Sequence, residues 1–132
     1  MKPDLLPELA KATHAMYLRE HDKVKGILKE EAALRLRLAQ LDEHARAARE
    51  TGSTVGSMRA IGADILWQAW EERTRRALNM ELARVMARKL AAMDRVRTAF
   101  GRKTAVANLS RDEKETRRFR ERKKFEASLL DR

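Results

Sequence analysis

Between Leu6 and Ala48 the apolar residues recur at alternating steps of three and four. Written as a heptad, the a positions are Ala10, Tyr17, Val24, Glu31, Leu38 and Ala45. The d positions are Leu6, Thr13, Glu20, Ile27, Leu34, Leu41 and Ala48. Only Thr13, Glu20 and Glu31 interrupt this seam with polar groups. A step averaging 3.5 residues keeps one stripe of a helix facing one neighbour, as a coiled coil requires. After Pro7 no proline follows, and Gly26 is the only glycine before residue 50, so a single helix is predicted from about Asp4 to Glu50. Pro7 is tolerated in its first turn. At 1.5 Å per residue this helix is on the order of 70 Å long.

The run Thr51-Gly52-Ser53-Thr54-Val55-Gly56-Ser57 combines two glycines with small hydroxyl residues, which predicts a turn over 51–57 with Ser57 as the cap of a second helix. That helix is expected from Met58 to at least Phe100. Its apolar stripe starts with Met58, Ile61, Ile65, Leu66 and Trp70. It weakens through Glu71–Arg76 and resumes as Leu78, Leu82, Val85, Met86, Met93, Val96 and Phe100. Two helices of similar length joined by a short linker must run antiparallel. A turn centred at Ser53–Thr54 sets opposed residue numbers to total about 107. Phe100 then falls beside Leu6 and Leu9, Leu82 beside Val24, and Trp70 beside Leu38. Gly101 either ends this helix or loosens it. Ser110-Arg111-Asp112-Glu113 reads as a capping box that opens a separate final segment. The expected architecture is therefore all-α: a long antiparallel two-helix coiled-coil hairpin over 1–110 and a basic helical tail over 111–132.

Composition agrees with long helices. Charged residues make up 38% and aromatics 5%, a balance that cannot build a thick core and suits a chain burying one stripe per helix. The net charge of +10 is graded. Residues 1–50 carry ten bases and nine acids, 51–100 nine and five, and 101–132 eleven and six. The excess at the C-terminal end predicts an anionic partner: an acidic protein, nucleic acid or an anionic membrane surface. The chain has no cysteine, which excludes disulfides and thiolate metal sites and fits the cytoplasm. No apolar leader and no membrane-spanning run is read in it.

A catalytic motif is not found, and no enzyme activity, cofactor or metal is expected. His14 and His21 stand seven residues apart, about 10.5 Å along a helix, too far to share an ion; with His44 they read as surface groups. Glu30-Glu31 and Glu71-Glu72 are adjacent pairs that point to different sides of a helix. Partner binding is the remaining chemistry. Trp67 and Trp70 share a helix flank, and of the two only Trp70 fits the expected seam. Either both are core, or Trp67 faces outward as a binding anchor of the kind enriched at hot spots. Arg73, Arg75 and Arg76 follow them, as a solvated face or as the cationic part of a docking patch for an acidic surface. The strongest basic run is Arg117, Arg118, Arg120, Arg122, Lys123 and Lys124. Glu113, Glu115, Glu121 and Glu126 interleave with it, and only Phe119 and Phe125 are available to stack on bases. That combination weakens a nucleic-acid reading. A monomer is expected, although polar a and d positions leave a homodimer open.

The second helix carries a resemblance. Leu66-Trp67-Gln68-Ala69-Trp70, Arg76-Ala77-Leu78-Asn79 and Leu82-Ala83-Arg84-Val85, followed by Ala99-Phe100-Gly101-Arg102-Lys103 with Ala105 and Leu109, resemble the FliJ/YscO stalk family of type III secretion. The likeness covers roughly residues 5–110. It implies a non-enzymatic, cytoplasmic export component, peripheral to the inner-membrane apparatus of a flagellar or related system. It also implies two partners, a hexameric export ATPase and the membrane export gate, which the stalk would couple. The Arg111–Lys124 run is richer in arginine than the family pattern.

Overall fold

The computed structural model describes residues 5–52 and 58–131. Two helices account for nearly all of them: α1, Leu6–Gly52, and α2, Met58–Leu130. They pack against each other as an all-α helical hairpin. The predicted start of the first helix at Asp4, the cap at Ser57 and residues 53–57 of the predicted turn lie outside the described residues, while Thr51 and Gly52 belong to α1. By compactness the chain forms two units, one of Val24–Ala91 and the other of Met1–Lys23 with Ala92–Arg132.

The heptad of α1 holds along its whole length. Each of its thirteen a and d positions is buried or half-buried, from Leu6 to Ala48. The three polar interruptions are accommodated in different ways. Thr13 is buried and donates its hydroxyl to the carbonyl of Leu9 at 2.9 Å, the back-bond that satisfies a threonine inside a helix. Glu31 is buried and ion-paired. Glu20 is only partly satisfied: Lys23 reaches Oε1 at 3.2 Å, while Oε2 is buried without a hydrogen-bond partner.

The inward face of α2 differs from expectation. Leu78, Leu82, Val85 and Val96 face inward as predicted, but Met86, Met93 and Phe100 are exposed. The positions between are filled by Ala92, which has no exposed surface, by Ala99 and Val106, and by the charged residues Glu71, Arg75, Lys89 and Lys103. From Glu71 to Glu113 these positions follow a strict 4-3 alternation, so α2 has a heptad seam built from small and charged residues rather than from its largest ones.

The axial register is also shifted. In the Val24–Ala91 unit, Asp42 pairs with Arg75, Glu30 with Arg88 and Glu31 with Lys89. Opposed residue numbers thus total 117, 118 and 120 instead of 107. In the other unit Tyr17 meets Phe100 and Lys103, so Phe100 does not lie beside Leu6. The shift of about eleven residues equals three helical turns, which leaves each helix presenting the same face. A heptad pattern fixes the face and not the axial position, and here specific ion pairs and the Tyr17 contacts accompany the longer offset. Leu34 thereby stands opposite Val85, and Leu41 opposite Leu78.

The offset leaves α2 uncovered at both ends. In the first unit α1 stops at Gly52, level with Leu66, and Ile61 and Ile65 are exposed. In the second, Leu6 is level with residue 112, and every residue from 114 to 131 is exposed. Neither Gly101 nor Ser110 interrupts α2: both lie inside the helix, so Ser110 is not a cap.

Candidate functional site

The C-terminal stretch of α2 is helical because it is rich in good helix formers, arginine, lysine, glutamate and leucine, with no glycine or proline. The positions that would continue the seam beyond Glu113 are Arg117, Arg120, Lys124 and Ala127. Pairing stops there because Leu6, the first residue of α1, is already level with residue 112, and the next seam positions of α2 are cations that stay in solvent. Arg118, Arg122 and Phe125 share one face with Glu121 and border a shallow groove. The Lys123 ammonium lies 5.5 Å from the centre of the Phe119 ring.

Several cations in the Val24–Ala91 unit are paired instead. Arg88 donates to Glu30 at 2.7 Å, and Lys89 sits 3.0 Å from Oε2 of Glu31, whose Oε1 accepts from Arg35 at 3.0 Å. The Lys89 hydrogen bond first, and the Arg35 one second, hold the Glu31 carboxyl below its ordinary range. Along Lys114–Lys124, in contrast, no ion pair forms among the described residues. Lys114, Arg117, Arg118, Arg120, Arg122 and Lys124 therefore retain donors for an external anion.

The tryptophan pair is reversed from expectation. Trp67 is the half-buried one, bordering a groove with Ala48, Arg49, Gln68 and Glu71. Trp70, expected in the seam, is 49% exposed. Their rings lie 6.5 Å apart, tilted by 40°. Of the arginines that follow, Arg75 faces α1 and donates to Asp42 and, at 2.7 Å, to Glu71. The Glu71 bond first, and the Asp42 bond second, raise its pKa above the ordinary arginine value. Arg73 and Arg76 are exposed, Arg76 only 4.0 Å from Glu72. The structure thus gathers Trp70, Arg73 and Arg76 on the outer side of the first unit, turns Trp67 and Arg75 inward, and places the six cations of 117–124 in the second unit.

Among the described residues no cluster of three or more histidine, aspartate or glutamate side chains could hold a metal ion, and no helix is long and apolar enough to cross a membrane. Comparison of the chain with protein families, with curated proteins and with solved structures finds no match.

Proposed function

We propose that this chain is a non-enzymatic stalk or chaperone-like component of a flagellar or related type III export apparatus. In this reading it works by presenting the cationic end of α2 to an acidic protein partner. The observation that carries the reading is the continuation of α2 past the last residue of α1 opposite it, with its cations exposed and, among the described residues, forming no ion pair with the glutamates interleaved among them. An arginine-rich helix is suited to carboxylate-lined surfaces because each guanidinium makes bidentate bonds of fixed geometry. The resemblance along the second helix gives the partners: a hexameric export ATPase at the cationic end and the membrane export gate that the stalk couples to it.

The test measures activity of the export ATPase with and without the full chain at physiological salt. The comparison is a full-length variant carrying Arg117→Glu, Arg120→Glu and Lys124→Glu. Stimulation that the variant loses supports the stalk. Unchanged activity together with no co-eluting complex rejects it.

A second reading, a basic helical adaptor or scaffold for an acidic protein, nucleic acid or anionic membrane, is favoured by the same unpaired cations. Affinity for a nucleic acid would fall steeply and linearly with log salt, whereas docking on a folded acidic protein would retain specificity at moderate salt.

A further inference from the structure

The outward face of α2 in the Val24–Ala91 unit is unlike a solvated helix face. From Gly62 to Ala91 all of its outward heptad positions are exposed, and none carries an acid. Large apolar groups occupy several of them: Leu66 is 73% exposed, Trp70 49%, Met80 58% and Leu90 66%. The charged ones are Arg73, Arg76 and Arg84, and the rest are alanine or glycine. The acids of the same stretch, Asp64, Glu71, Glu72 and Glu81, all fall on the side of the seam or its flanks. Acids are thus confined to the inward side of the helix and its flanks, while bases occupy both sides. Arg75, Arg88 and Lys89 turn inward to carboxylates of α1, while Arg73 is exposed and Arg84, exposed at the rim of a groove it shares with Glu30 and Leu34, likewise has no carboxylate within ion-pair distance among the described residues.

The line Ala63, Leu66, Trp70, Arg73, Ala77, Met80 continues through Arg84 and Ala87 to Ala91 in unbroken steps of three and four. This exposed line is four heptads long, with large apolar groups at Leu66, Trp70 and Met80, arginine at two positions and alanine at the other four.

We infer that this exposed line docks an acidic amphipathic helix of a partner protein, with apolar residues over Leu66, Trp70 and Met80 and carboxylates against Arg73 and Arg84. Three alternatives fit less well. A second copy of the chain docking by the same face would set arginine against arginine, which is unfavourable. An anionic membrane gains from a continuous bulky apolar face, which Arg73, Arg84 and the alanines between Leu66, Trp70 and Met80 interrupt, whereas small residues let a helix axis approach closely. A nucleic acid would meet only three cations over about 40 Å of helix. The inference does not rest on the function proposed for the C-terminal cations, which lie in the other unit.

The probe is a synthetic four-heptad helix with leucine and alanine in its seam and glutamate at the flanking positions, and a twin with lysine in place of glutamate. Each is titrated into the full chain while Trp67 and Trp70 fluorescence is followed. The glutamate peptide is expected to bind at least about tenfold more tightly than the lysine peptide. Arg73→Glu with Arg84→Glu should invert that preference. Arg117→Glu with Arg120→Glu and Lys124→Glu should leave it unchanged. The inference is overturned if neither peptide binds saturably, if the preference follows the C-terminal variant, or if the Arg73/Arg84 variant keeps the original preference. It is equally overturned if phosphatidylglycerol vesicles or a second copy of the chain occupy the face in place of the peptide.

Discussion

Replacing Glu20 with leucine should stabilise the hairpin. Glu20 occupies a d position, its side chain is only 20% exposed, and Lys23 satisfies one carboxylate oxygen while the other is buried without a partner. In the register of that unit it stands opposite Ala99, which is buried, so there is room for a branched apolar side chain. An unsatisfied buried acceptor costs about 1–3 kcal/mol. Removing the exposed Lys23 pair forfeits roughly 0–1 kcal/mol. Leucine and glutamate have nearly equal helix propensity, so the backbone term cancels. Leucine adds apolar contact in the seam, and the net expectation is a gain of about 1–3 kcal/mol. For a chain of this size that is a rise in Tm of several degrees, at roughly 4 °C per kcal/mol. The assay is urea and thermal denaturation followed by circular dichroism, with Glu20→Gln as the control that removes charge while keeping shape. A Glu20→Leu midpoint equal to or below that of the unaltered chain refutes the reasoning. It would mean that the seam near Ala99 does not close over residue 20.

Acidification should weaken the hairpin through Glu31. Its folded pKa is depressed by Lys89 and Arg35, so its contribution is complete above the ordinary glutamate value of about 4.3 and disappears as pH falls through the lower folded value. Glu31→Gln should flatten the stability profile in that acid window, measured as urea midpoint against pH. Leu34→Ala should cost about 2 kcal/mol, the low end for a buried leucine because a two-helix seam can partly close over the gap. Gly101→Ala should add about 1 kcal/mol to helix stability, since a methyl group there meets nothing within 4 Å and the helix already runs through the site. A lower Tm for Gly101→Ala would show that this position needs glycine for another reason.

The fold class and the whole inward face of α1 were legible because α1 puts leucine, isoleucine and valine where the seam is. Glu20 and Glu31 fit the same register despite their charge. The inward face of α2 was not legible by size. Ala92 and Ala99 carry no strong hydrophobic signal, and Lys89 reads as a solvent residue until Glu31 is known to face it. Meanwhile Met86, Met93 and Phe100, which look like core, sit beside the seam rather than in it. Trp67 and Trp70 were exchanged for the same reason: a stripe drawn through the largest side chains of α2 follows its outer face near the tryptophans. The axial offset was hidden because a slide of three turns changes no face. The cations of 117–124 were visible as a basic run; that they form no ion pair among the described residues needed the placement of every glutamate around them.

The offset of the two helices has a dynamic corollary. A helix without tertiary contacts is held only by propagation from a costly nucleus, and most helical stability in proteins comes from packing. The uncovered C-terminal stretch of α2 is helical as the continuation of a longer one, and its amide protons are shielded only by the helix's own hydrogen bonds. These amides should exchange with deuterium orders of magnitude faster than those level with Leu34 and Val85, whose opening requires the seam to separate. A partner that grips the 114–131 stretch would then announce itself by slowed exchange at those amides alone, with the rest of the hairpin keeping its original rates.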